Sequence, residues 1–305
     1  MSSISVLGIF VADLVFFGKE IPSKGQTILG NNYKIGPGGK GSNQAITVAK
    51  LGGKVDFITK IGKDSYGEMA LNIYKETKVK TDSVLIDNNN PTGVAGIMVD
   101  QQGNNAINVI AGASGKITDQ DINNNLETIK NSKVFLTQLE IPHDVTITAL
   151  KLAKENNCIS ILNPAPAREI SESDFKLIDY FTPNETEAEF YLNQKLNSDN
   201  DIKDAASKFL DKGVKNIIIT LGEKGAYFAN NEQNFFVQSH NLKEKVIDTT
   251  GAGDVFNGAL AFSLANDINI KDAIIFANKV AGISTTRLGA ANSVPTLNEV
   301  DNYQN

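Results

Sequence analysis

"DVTITALKLAKENNCISILNPAP", residues 144–166, holds one complete helix-to-strand unit, and its reading decides the fold class. The first half sets Val145, Ala149 and Ala153 four apart, the spacing of one helix face. "CISIL" then runs short and almost entirely apolar before the polar "NPAP". A strand without apolar–polar alternation is covered on both faces, which is the habit of parallel sheets.

Outward from this unit the rhythm repeats. "SISVLGIF" (3–10), "KVDFITKIG" (54–62), "KVFLTQLE" (133–140), "DYFTPNE" (179–185) and "KNIIITLG" (215–222) read as strands, and "IKDAASKFLDKG" (202–213) as a helix between two of them. The expectation is an α/β fold with a mainly parallel sheet flanked by helices on both faces. Ligands of such sheets sit beyond the carboxyl ends of the strands, where "QLE", "NPAP", "TPNETE" and "TLGEKG" fall. Two stretches lack helices. "VADLVFF" and "TILGNNYKI" flank the turn "IPSKGQ", and "TGVAGIMVD" and "NNAINVI" flank "QQG". These hairpins, 11–37 and 92–110, are expected to form one small sheet that protrudes as a lid from a single domain spanning 1–305.

Composition narrows the function. A net charge of −6 argues against a nucleic-acid or anionic-membrane surface. The single cysteine, Cys158, excludes an internal disulfide framework and reads as core. His143 and His240 stand in polar contexts and read as solvated surface residues. No apolar run reaches the ~20 residues a membrane span needs. "MSSISVLGIF" lacks a basic leader region and begins as a strand, so a cytoplasmic location is expected.

"GPGGKGSNQA" (36–45) formally contains G-x-G-x-x-G, but a strand and a whole hairpin precede it, which is the wrong context for a dinucleotide site. Lys40 is followed by glycine, so the P-loop pattern fails as well. What remains is a glycine turn that brings backbone close to a ligand, with Lys40 and Asn43 offering polar ends suited to hydroxyls. In "DTTGAGDVFNG" (248–258), Gly251 and Gly253 bare the amides of a turn that opens a helix. Such a nest suits the charge on a transferring phosphoryl group. Asp254 beside it either caps the helix or takes a proton from an attacking hydroxyl. "TPNETEAE" (182–189) places Asn184 and Glu187 three apart, either as a capping box or as an outer shell for hydrated Mg²⁺.

Taken together, "GGKGSNQA", "DTTGAGDVFNGAL", "LNPAPARE", "TPNETEAE", "TLGEKG" and "TRLGAANSVP" resemble, in this order, the ribokinase family of sugar kinases, over essentially the whole chain. The resemblance implies a ribokinase-like fold and Mg²⁺-dependent, K⁺-activated phosphoryl transfer from ATP to the 5-hydroxyl of ribose. It implies Asp254 as general base and the amides of Gly251, Ala252 and Gly253 as an anion hole. Asp13, Gly39, Lys40, Asn43 and Glu140 would hold sugar hydroxyls, Asn184 and Glu187 would organise Mg²⁺ and phosphates, and Thr220, Gly222, Gly225 and Asn278 would line the ATP site. Asp248, Thr250, Ser284, Arg287, Gly289 and Ser293 would surround K⁺, and lid pairing would make a homodimer. Val11 stands where the family usually carries asparagine, two places before Asp13, which points also to 2-deoxyribose or another pentose. A dinucleotide-dependent oxidoreductase and a non-catalytic sugar-binding regulator are the rivals from other classes.

Overall fold

The computed structural model describes residues 3–303. Its strands are β1 (Ser3–Leu7), β2 (Val11–Phe17), β3 (Asn32–Gly38), β4 (Lys54–Gly62), β5 (Val84–Asp87), β6 (Thr92–Val99), β7 (Asn105–Gly112), β8 (Ser132–Thr137), β9 (Ile159–Leu162), β10 (Tyr180–Phe181), β11 (Asn216–Thr220), β12 (Ala226–Ala229) and β13 (Asn234–Val237). The helices are α1 (Lys40–Lys50), α2 (Ser65–Thr77), α3 (Asp119–Asn124), α4 (Leu126–Lys130), α5 (His143–Glu155), α6 (Glu185–Leu192), α7 (Asp199–Asp211), α8 (Ala252–Ala265), α9 (Ile270–Ser284) and α10 (Leu297–Asn302).

Nine strands form the main sheet in the order β13-β12-β11-β10-β9-β8-β1-β4-β5. All neighbours are parallel except β11, β12 and β13, which close one edge as an antiparallel meander. The apolar character of the strands follows from their two covered faces. Along β8, Val134 and Leu136 enter the core shared with α1, α8 and α9, whereas Phe135 enters the core shared with α5 and α7. Ile218 and its neighbours Ile217 and Ile219 on β11 divide the same way.

The second sheet has the order β3-β2-β6-β7 and contains the arms of both predicted hairpins. β2 runs parallel to β6, so the two hairpins join through their first strands. Only Gly8, Ile9 and Phe10 separate β1 from β2, and only Gly39 separates β3 from α1. Three expectations need correction. The second arm of the first hairpin begins at Asn32 rather than Thr27, because the Asn31 amide donates to the Phe17 carbonyl at 2.7 Å and closes the loop there. Within that loop, Gln26 turns its amide and side chain back onto Ser23 and Glu20, leaving no ladder to extend. "DYFTPNE" gives only a two-residue strand, since Pro183 ends it. The histidines are half-buried rather than solvated: His143 opens α5, and the His240 ring packs against Tyr303 at 5.8 Å. Cys158 is buried, as expected. Among the described residues no helix is long and apolar enough to cross a membrane.

Candidate active site

A cleft of about 200 Å³ opens at the carboxyl ends of β9, β10 and β11 against the first turn of α8. Lys40, Asn184, Glu187, Thr220, Gly251, Ala252, Gly253 and Asp254 from the sequence reading all line it, joined by Asn163, Thr182, Thr249 and Asn257.

The two readings left open for Asp254 are separated by its hydrogen bonds. Helix α8 has no side-chain cap, and its N-cap residue Gly251 takes φ 76°, a left-handed conformation that glycine adopts freely. The Asp254 carboxylate instead accepts from α1, at 2.9 Å from Asn43 Nδ2 and 3.4 Å from Gln44 Nε2. It is not a cap. The amides of Gly251, Gly253 and Asp254 find no acceptor among the described residues, whereas Ala252 donates to the Thr249 carbonyl at 3.2 Å. Three free donors and a buried carboxylate thus share the cleft at the positive end of a helix.

Burial pushes the Asp254 carboxyl above the usual range, against the charge of Lys40 and the two amides from α1. Asp13, on β2, is pushed up to about 6 by burial and by the Asp254 charge. Glu140 is pushed up to about 7, chiefly by burial, with Lys40 pulling the other way. Lys40 is held above its ordinary value, first by Asp254 and then, against the effect of its own burial, by Glu140 and Glu187. Four acids and one lysine therefore share one electrostatic site. Its geometry is tight: the Lys40 amide donates to Glu140 Oε2 at 2.9 Å, and a Cβ on Gly38 would lie 2.2 Å from Asp13 Oδ1. Gly39 has φ 91° and would meet the Ile9 carbonyl at 2.5 Å, so it fixes the turn into α1. Asn43 Oδ1 is buried without a partner, an acceptor position suited to a ligand hydroxyl. Val11 is 2% exposed and belongs to the apolar cluster with Leu7, Ile9 and Ala95.

Asn184 and Glu187 do form a capping box: the Asn184 amide donates to Glu187 Oε2 at 2.9 Å, and the Glu187 amide to Asn184 Oδ1 at 2.8 Å. The other carboxylate oxygen of Glu187 accepts nothing from the described residues, and burial raises its carboxyl. Thr220 is tied to Pro183 through its amide at 2.9 Å. Gly222 (φ 56°) and Gly225 (φ 98°) shape the turn after β11, outside the cleft itself. Asn278 reaches the same side of the molecule from α9, donating to the Gln238 carbonyl at 3.1 Å.

Asp248 joins the loop before α8 to the loop after α9, accepting from the Thr250 amide and the Gly289 amide, both at 2.9 Å. Burial alone would raise its carboxyl, yet these donors hold it below the usual range. Ser284 and Ser293 hydroxyls donate to the carbonyls of Ala281 and Ala290, and the Arg287 guanidinium pairs with Glu299 at 2.7 Å.

Sequence reasoning did not single out Gln44, Gln138, Thr182 or Asn257, all almost fully buried polar side chains. Gln138 and Thr182, like their companion Asn163, had only the signal of a polar cluster at a strand's end, in "QLE", "TPNETE" and "NPAP".

Known proteins resemble this chain over nearly its whole length. The profile of the pfkB family carbohydrate kinases matches residues 1–297. A ribokinase of Haemophilus influenzae is 36% identical, covering 97% of this chain and 96% of its own. A deoxyribokinase of Salmonella typhi is 33% identical, covering 98% of both. The structure of Arabidopsis thaliana ribokinase complexed with ribose and ATP superposes with a TM-score of 0.90 at 30% identity, over 98% of each chain. A match running almost from end to end, in sequence and in fold, places the chain in the pfkB family of carbohydrate kinases.

Proposed function

We propose that this protein transfers the γ-phosphoryl group of ATP to the 5-hydroxyl of D-ribose, giving ribose 5-phosphate and ADP. The observation that carries the reading is Asp254, a buried carboxylate uncommitted to its helix and set among free amides. Asp254 takes the hydroxyl proton as the new O–P bond forms and the bond to ADP breaks. The free amides of Gly251, Gly253 and Asp254 face the charge on the transferring group, and Lys40 adds a positive one. Asp13, Gly39, Asn43 and Glu140 orient the sugar, while Thr220, Gly222, Gly225 and Asn278 serve the nucleotide. The open oxygen of Glu187 suits a water of hydrated Mg²⁺. When bound, Mg²⁺ supplies charge neutralisation on the phosphates.

A coupled ADP-release assay over pentoses, hexoses and nucleosides tests the reading. Ribose-dependent ADP release with ribose 5-phosphate as product is the expected outcome; no sugar-dependent release would sink it.

Val11 favours a second substrate. It lies two residues from Asp13 on the same strand face and is wholly apolar. A sugar hydroxyl left unpaired against it costs about 1–3 kcal/mol, on the order of 5–150-fold. 2-Deoxyribose avoids that cost, and a 33% identical relative is a deoxyribokinase. Val11→Asn is expected to shift the kcat/KM ratio toward ribose. An unmoved ratio would leave Val11 as core packing only.

K⁺ activation belongs to the same reading. Asp248 keeps its negative charge where two loops meet beside the first turn of α8, and the resemblance assigns backbone and side-chain oxygens of Thr250, Ser284, Arg287, Gly289 and Ser293 to the same monovalent cation. Replacing K⁺ by Na⁺ or a bulky organic cation at fixed ionic strength is expected to lower kcat; an equal rate in all three would remove the site. The second sheet, as a lid, leaves Phe16, Tyr33, Ile35, Met98 and Ile110 exposed, which supports a homodimer formed through it. ATP as donor also fits the cytoplasmic location.

A further inference from the structure

We propose that Gln44 is a positioning residue, the centre of a buried carboxamide relay that orients the Asp254 carboxylate and holds it ionised. The proposal rests on Asp254 being the base. Gln44 is fully buried on α1 and donates through one nitrogen to two oxygens, Asn163 Oδ1 at 3.2 Å and Asp254 Oδ1 at 3.4 Å. Its own oxygen accepts from Gln138 Nε2. An ionised carboxylate only accepts hydrogen bonds, so it dictates the direction of every link. Reversing the Gln44 amide would set its oxygen against the charge of Asp254. Gln138 must then donate to Gln44, which turns its own oxygen toward Gly8 and Gly41. That oxygen has no partner, and a Cβ on Gly8 would come within 2.3 Å of it. Two glycines thus make room for a side chain that touches no part of the cleft.

The relay continues on the other side. Asn163 Nδ2 donates to the Thr182 carbonyl at 3.3 Å, Thr182 Oγ1 to Asn257 Oδ1 at 2.6 Å, and Asn257 Nδ2 to the Gly253 carbonyl at 2.8 Å. One network therefore ends both on the carboxylate and on the turn that bears the free amides. Asn43 holds the second carboxylate oxygen. The charged groups around Asp254 are Lys40 from α1, Glu140 after β8, Asp13 from β2 and Glu187 from α6. Of these only Lys40 favours the ionised form, so each neutral donor counts. Gln44 acts in the same direction as Asn43, lowering the Asp254 carboxyl.

The test is the pH profile of kcat/KM for ribose in Gln44→Met, whose side chain has similar volume and no donor. Loss of a donor to the charged form raises a carboxyl pKa. The acid limb is therefore expected to move up by roughly half to one pH unit, about 3–10-fold lost on that limb. The KM for ATP stays unchanged. Gln138→Met, one link further away, should move the limb in the same direction by less, and it decides the matter if Gln44→Met does not fold. An unmoved limb in the folded variant, or an equal loss at every pH, overturns the relay. Asp254→Asn in the same buffers separates the two levels: if it keeps an acid limb and near-normal kcat, the base assignment itself has failed.

Discussion

Asp254→Asn is expected to lower kcat by roughly 10²–10⁴-fold, the usual worth of a general base. The substitution keeps the shape of the side chain and removes its ability to take a proton. It also turns an amide donor toward either Asn43 or Gln44, which both donate to this carboxylate. The loss should appear at saturating ribose and ATP, with calorimetric ATP affinity close to that of the unaltered protein. Burial raises the Asp254 carboxyl, so the ionised base of the unaltered enzyme is lost as pH falls through a value above the ordinary carboxylate range. The acid limb of kcat/KM should lie there and vanish in the variant. A near-normal kcat would leave Asp254 without a chemical role.

Gly251→Ala is expected to cost nearly as much. At φ 76° an L side chain is strained, and the added Cβ would lie 2.7 Å from that of Ala290. The turn has to shift, and with it the unpartnered amides of Gly253 and Asp254. Removing one such donor costs roughly 10²–10³ in kcat. Strain in the left-handed region adds about 1–2 kcal/mol of instability, so a thermal melt should accompany the kinetics. A folded variant with unaltered kcat would show that this turn does not hold the transferring group.

The α/β class was legible because it rests on repetition: apolar runs such as "NIIIT" alternate with helical spacing, and both sides of each strand must be covered. The carboxyl-end location of the site followed from the same pattern. From its local context Asp254 was legible as a candidate but not as a base, since a capping aspartate has the same sequence context; only the resemblance to the ribokinase family named it the base. Only its bonds to α1, 211 residues away in the chain for Asn43, separate the two. Asn184 and Glu187 show the converse, for there the cap is formed in full. Of the relay through Gln44, Gln138 and Asn163 the sequence showed only polar clusters at strand ends, "QLE" and "NPAP", and nothing that links them to each other or to Gln44. Its members come from α1 and from the ends of β8 and β9, and a lone buried amide has no periodicity to announce it. The extent of β3 was misjudged for a related reason, because the closure of the Gly18–Asn31 loop depends on bonds that propensity does not encode.

The short connections on either side of the second sheet tie geometry to proton count. Asp13 rides on that sheet, while Glu140 and Asp254 belong to the main body. The angle between the sheets therefore sets the separation between one acid and two others. Bringing them together strengthens the repulsion that already contributes to raising Asp13 to about 6 and Glu140 to about 7. By linkage, approach of the sheets near neutral pH draws protons from solution, and separation returns them. Were the second sheet to close over the main body, acidity would favour that approach, and a buffer-dependent heat would register the exchange. The three-residue connection, Gly8 to Phe10, thus couples the placement of Asp13 relative to the main body to the number of protons that the three acids hold.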